Sequence, residues 1–224
     1  MALPPADTSD RCEAARYALL RRLAPSMRHH LVVNLQPIGM IWEVMDRRLR
    51  IDQPDIAQVH DSARRMNGFA RAALASCLDV VTWLAPEDDT ATTAAEGVRE
   101  CGGLLATGLS FRGYTFRDEV GQVPGQVSRA ALRSVLTAAL VQCTDEQPAP
   151  AEVRVGARAT PSGLEVVVGA SACPGEPGID APVNYRRLGR EDVEALATAE
   201  GVALARPSRG VVVLTFPWLA APGA

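Results

Sequence analysis

Two long apolar seams constrain this chain more than any other feature. Leu20, Ala24, Met27 and Leu31 step by four, three and four, and Leu35, Ile38, Trp42, Met45 and Leu49 then step by three and four. This is a heptad-like seam with one extra four-residue step at Leu31–Leu35, a stutter that locally unwinds a supercoil. A helix over residues 10–50 is about 60 Å long, beyond what a lone surface helix reaches. Pro25 and Pro37 should kink it on either side of His29 and His30. The RIDQPD stretch (50–55) reads as a turn. Ala63, Met66, Ala70, Ala73, Cys77, Val80 and Leu84 form a second seam, closed by Pro86 and the acidic Glu87-Asp88-Asp89. Two antiparallel helices with one seam each bury those seams poorly alone. Pairing with a second copy into a four-helix bundle solves this and predicts a homodimer. The alternative packs the hairpin on the rest of its own chain.

Beyond residue 90 the texture changes. Residues 98–113 read as helix despite their glycines, and YTFRDEV (114–120) alternates like a strand. Residues 127–143 form an amphipathic helix with Ser128 as N-cap. VRVGARA (153–159) and LEVVVGA (164–170) are strands joined through Thr160-Pro161-Ser162-Gly163. Residues 190–201 are helical with Gly201 at the end. VALAR (202–206) and GVVVLTFP (210–217) make a hairpin around Pro207-Ser208-Arg209, and the LAAPGA tail should fray. The expected fold is α+β: a helical hairpin over 1–86 forming a dimeric four-helix bundle, then an α/β sandwich over 87–224.

Composition narrows the chemistry. The 224 residues suit one large domain or two small ones, and 23 basic against 26 acidic side chains give a net charge of −3, which argues against a nucleic-acid binder. All of the basic residues are arginine; lysine is absent. No P-loop lysine and no Schiff-base lysine is available. The five cysteines (Cys12, Cys77, Cys101, Cys143, Cys173) are scattered and never spaced C-x-x-C, which predicts neither a disulfide framework nor a zinc site. No apolar signal core and no membrane-length apolar run is present, so a soluble, cytoplasmic protein without a membrane partner is expected.

Three histidines remain: His29, His30 and His60. On a helical wheel His29 lies about 160° from the centre of the apolar seam and His30 about 100° from it. Val32, Val33 and Met40 share the outward face with His29, so the helix is apolar almost all round, as at an interface. Adjacent histidines diverge and no acidic or cysteine cluster accompanies them, which disfavours a metal. His60, early in the second helix, reads as structural or solvated.

MRHHLVVNLQPIGMI resembles the phosphoacceptor box of two-component histidine kinases and histidine phosphotransferases. Without gaps His29 falls on the phosphorylated histidine, Leu31, Leu35 and Ile38 on buried positions, and Asn34-Leu35-Gln36 on an N-L-Q run. Shifting the register makes His30 the acceptor and keeps only H-x-x-x-N. The chain departs from the box where His30 and Val32 replace basic residues and no acid follows His29. Residues 10–86 are similar to a dimerisation and phosphotransfer hairpin, and 87–220 resemble an ATP-binding domain of the GHKL (Bergerat) type. Within that likeness Ala138 and Gln142 stand where asparagines face magnesium and phosphate. Gly169-Ala170-Ser171 replaces the adenine-holding D-x-G, and the glycine-rich lid motif is absent.

The resemblance implies reversible phosphoryl transfer between His29 and aspartates of response-regulator receiver domains, with Arg28, Val32, Val33, Gln36 and Met40 as the docking surface. It implies no ATP-dependent autokinase activity, no bound cofactor and no metal; Mg²⁺ belongs to the partner receiver. Two other readings stay open: a non-catalytic pseudokinase that sequesters a regulator, and an active kinase with a divergent ATP site.

Overall fold

A computed structural model describes residues 5–85, 90–179 and 185–219 of the chain. The elements run α1 (Pro5–Leu49), α2 (Ile56–Leu84), β1 (Ala91–Thr92), α3 (Ala94–Phe111), β2 (Tyr114–Asp118), β3 (Val127–Ser128), α4 (Arg129–Glu146), β4 (Ala151–Thr160), β5 (Gly163–Ala172), α5 (Arg190–Ala199), β6 (Ala203–Ser208) and β7 (Val211–Phe216). The fold class is α+β, as expected. The chain groups into two compact units, one of Ala24–Pro86 and one that combines Met1–Leu23 with Glu87–Ala224. The helix α1 therefore contributes residues to both.

The helical unit is an antiparallel pair. Asp55 caps α2 by accepting from Ala57 N at 3.0 Å and Gln58 N at 3.2 Å. Asn34 Nδ2 donates to Ser76 Oγ at 3.0 Å, and Arg48 donates to Ser62 Oγ at 3.4 Å. Both pairs sum to the same residue total, so they specify a single antiparallel register. Met27, Met45, Ala73 and Trp83 are buried and Ile38, Met66 and Val80 half-buried. Apart from Trp83, which the seams do not include, these belong to the inner half of each predicted seam. The other halves face outward: Leu35, Trp42 and Leu49 on α1, and Ala70, Cys77 and Leu84 on α2, with Leu74 and Val81 beside them.

Pro25 and Pro37 sit inside α1, which continues through both as one helix. A mid-helix proline costs about 3 kcal/mol. Burial of Leu23 and Met27 around Pro25, and the Asn34–Ser76 bond one turn before Pro37, offset that cost. Pro86 and Glu87-Asp88-Asp89, expected to close α2, lie outside the described residues, as does all of the terminal LAAPGA except Leu219.

The second unit is built on a mixed sheet of order β2-β4-β5-β7-β6, in which β2 runs parallel to β4 and every other pairing is antiparallel. Val153, Val155, Val166, Val168, Val212, Leu214 and Phe216 point to one face and are buried; Arg154, Arg158 and Glu165 point to the other. On the buried face α4 crosses β4, β5 and β7, with α3 toward β2 and α5 toward β6. Ser128 caps α4, accepting from Ala131 N at 3.2 Å, and Thr93 with Glu96 forms a capping box at the start of α3. Glycines let α3 approach closely: a Cβ at Gly97 would lie 2.6 Å from a Leu132 methyl and one at Gly102 2.5 Å from the Phe116 ring.

Two local expectations are corrected. Val127–Ser128 is a short strand paired with Ala91–Thr92, not the first turn of a helix. The last hairpin turns at Arg209-Gly210, where Gly210 has φ +77°, so Pro207 and Ser208 belong to β6. Proline is tolerated there because β6 is an edge strand with a register break, where a missing N–H breaks no ladder bond.

The first turns of α1 complete this unit. Cys12, Ala15, Ala18, Leu19 and Leu23 are buried. Arg11 pairs with Glu191 at 2.7 Å and Arg16 with Glu200 at 2.9 Å. Arg22 reaches both Asp145 oxygens at 2.7 and 2.8 Å. That last pair is buried on both sides, and Leu188 N also donates to Asp145 at 3.1 Å. Such a pair breaks expensively because the survivor is a stranded charge.

Candidate functional site

His29 is exposed on α1, and four of the five residues expected around it share its face, with Arg28 about 100° round the helix. Arg28, Val32, Val33, Gln36 and Met40 are all exposed, with Val33 at 50% and Met40 at 54%. Steps of three, four, seven and eleven from His29 keep Val32, Val33, Gln36 and Met40 on one arc of the helix. Val44, four residues past Met40 and 41% exposed, prolongs it. The sequence signal for Val44 was the same spacing. The arc covers about 22 Å of helix at 1.5 Å per residue. Pro37 has no N–H, so the Val33 carbonyl four residues back lacks its helical donor.

His30 differs from its neighbour. It is half-buried, its ring centroid lies 6.2 Å from that of His29, and its carbonyl accepts from Asn34 Nδ2 at 3.0 Å. Asn34 thus ties the His30 turn to Ser76 of α2, a link that single-helix spacing does not reveal. His60 is exposed on α2. Among the described residues no group of three or more His, Cys, Asp or Glu is arranged to hold a metal ion, and no helix is long and apolar enough to cross a membrane.

In the second unit Ala138 and Gln142 are fully buried, as is nearly every residue of α4 from Ala131 to Thr144. Gln142 Oε1 accepts from Arg206 of β6 at 3.2 Å. Gly169, Ala170 and Ser171 continue β5, and Ala170 N donates to Gly210 O at 2.9 Å. A cleft of about 760 Å³ opens beside the start of α5. Its four arginines (Arg11, Arg186, Arg187, Arg190) face Asp10, Glu146, Glu191 and Asp192, so its walls carry no net charge. Burial pushes the Asp192 carboxyl up, but bonds from Arg186 at 2.6 and 2.9 Å and from Gly189 N outweigh this and hold it below the usual carboxylate range.

No family model matches the chain, and no curated protein matches it either. Solved structures do. The Acinetobacter baumannii histidine kinase AdeS is 12% identical over 82% of this chain and 98% of its own, with a TM-score of 0.46. A histidine kinase from Burkholderia phymatum STM815 is 16% identical over 98% of this chain and 100% of its own, at 0.44. A structure described as a bacterial phosphotransferase is 12% identical over 96% and 98%, at 0.43.

Proposed function

We propose that the chain is a histidine phosphotransferase of a two-component phosphorelay, a homodimer whose hairpin (1–86) carries the chemistry and whose α/β unit (87–224) has lost nucleotide binding. The observation that carries this reading is an exposed imidazole at His29, at the N-terminal end of an exposed, largely apolar arc of a two-helix hairpin. The neutral imidazole nitrogen attacks the phosphorus of a receiver aspartyl phosphate in line. The P–O bond to the aspartate breaks, and the phosphohistidine is later discharged to a second receiver. The receiver supplies Mg²⁺ and charge stabilisation, so this chain needs only a positioned nucleophile and a docking face. Arg28, Val32, Val33, Gln36 and Met40 form that face.

Burial of Ala138 and Gln142 supports a unit that works without nucleotide, since neither side chain is open to a ligand. Outward half-seams on α1 and α2 support the dimer: helical geometry puts Leu35–Trp42–Leu49 and Ala70–Leu74–Cys77–Val81–Leu84 on the same side of an antiparallel pair.

The test mixes the protein with phosphorylated receiver domains and follows acid-labile label. Label should appear on the wild type, vanish in His29→Ala and persist in His30→Ala. No label with any receiver tested, or label surviving removal of both histidines, overturns the reading. A pseudokinase would bind its regulator equally well after His29→Ala, and measurable nucleotide binding by calorimetry would favour a divergent kinase.

A further inference from the structure

A second cleft of the α/β unit, about 370 Å³ in volume, lies where the end of α4 meets the α3–β2 turn and residues 177–179. Close backbone contacts build it. Ile179 N donates to Phe111 O at 2.9 Å, and Cys173 N to Pro150 O at 3.2 Å. Gly113, at φ +81°, and Gly178 meet so tightly that a Cβ on Gly178 would lie 2.1 Å from the Arg112 carbonyl carbon. The chain after β5 is thereby held against the start of β2 as one wall of the cleft. The Tyr114 hydroxyl lies 2.8 Å from Gln147 O and 2.7 Å from Thr144 O, and Arg112 Nη2 also donates to Thr144 O at 3.3 Å. Each of these carbonyls therefore has a donor already.

The carboxylates on its walls are engaged and its arginines are not. Asp145 accepts from Arg22 and from Leu188 N, and Glu146 from Arg190 at 3.3 Å. Arg112 makes only long bonds, of 3.3 and 3.4 Å, to Thr144 and stands 3.7 Å from Asp145. The exposed Arg187 guanidinium has no bonded partner among the described residues. Arg22, Arg112, Arg187 and Arg190 thus meet two carboxylates, four charges against two, which leaves a surplus of two positive charges. Burial pushes the Tyr114 hydroxyl up, and Arg112 and Arg187 both oppose that rise, so the two guanidiniums act on the same spot. Pro148, Pro177 and Ile179 supply apolar wall, with Ile179 68% exposed. A free guanidinium fork beside apolar wall suits a carboxylate carried on an apolar body. A dianionic phosphate fits less well, because its second charge faces Asp145 and Glu146.

We infer that this cleft binds a small organic carboxylate, its charged group on Arg187 with Arg112 alongside and its apolar body against Pro148, Pro177 and Ile179. The site lies wholly within the α/β unit and is independent of any chemistry at His29.

The test titrates sodium benzoate into the ¹⁵N-labelled full chain and follows its amide resonances, with sodium acetate, phenyl phosphate and ATP compared at matched ionic strength. Benzoate should shift the Gly113, Gly178 and Ile179 amides saturably. Acetate, which lacks the apolar body, should bind about tenfold more weakly or worse. Arg187→Gln should weaken benzoate binding by about tenfold or more, since it removes the charged fork. Arg187 bonds to nothing among the described residues, so that variant leaves the fold's contacts in place. Ile179→Asp is a second variant at an exposed position; it sets a like charge in the cleft and should abolish benzoate binding. The absence of a saturable shift with benzoate, or an unchanged Kd in both variants, overturns the proposal. Acetate binding as tightly as benzoate removes the role of the apolar wall and overturns it too. Phenyl phosphate or ATP binding more tightly than benzoate likewise overturns it, and makes the cleft a phosphate site.

Discussion

Glu100 on α3 accepts from Arg129 Nε at 3.1 Å, from Arg129 Nη2 at 2.8 Å and from Arg133. Burial alone raises its carboxyl, but the bonds from Arg133 and Arg129 outweigh that and hold it below the usual range. Its folded value is depressed relative to the unfolded chain, so its stabilisation is complete above the ordinary 4.5 and is lost as pH falls through the depressed value. Asp192 behaves alike below its ordinary 3.8. Urea melts between pH 5 and pH 2 should show stability falling as the solution is acidified. Glu100→Gln should be less stable at pH 5 and show a shallower decline. A variant with the wild-type slope would mean the cluster contributes nothing to acid unfolding.

Caps and close approaches govern the elements. Asp55→Ala removes both bonds that start α2 and should cost about 1 kcal/mol in chemical denaturation. Gly97→Ala pushes a methyl against Leu132, which is itself fully buried, and should cost about 1–3 kcal/mol. At this scale much was legible in the residues. Periodicity located both long helices, and Ser128, Gly201 and the Thr160–Gly163 turn fixed boundaries close to those observed. What escaped was set by partners distant in sequence. Val127–Ser128 is a strand only because Ala91–Thr92 lies beside it, and Pro207 extends β6 only because the edge has a bulge. The seams are legible as apolar in the sequence, but only the fold divides each into an inner and an outer half. The arc around His29 needed no partner to be read, since it lies on one helix; the Asn34–Ser76 tie and the Gln142–Arg206 cluster did.

For the whole molecule, the outward half-seams give the strongest prediction. Trp42 is 51% exposed and Leu74 60% exposed, and leaving such side chains in water is unfavourable by about 1.5–3 kcal/mol each. Light scattering should find a dimer in the wild type, and Trp42→Arg with Leu74→Arg should yield a folded monomer with unchanged far-ultraviolet dichroism. A wild-type monomer at micromolar concentration rules the bundle out. The N-terminal turns carry a different consequence, one of timing. Arg22 closes on Asp145 and Arg16 on Glu200, partners 123 and 184 residues further along the chain. On the ribosome the first turns of α1 emerge long before anything they pack against exists. The α/β unit cannot finish folding until α5 and the strands after it have been made, and a fragment beginning at residue 87 would emerge with the apolar surface that Cys12, Ala15, Ala18, Leu19 and Leu23 otherwise cover.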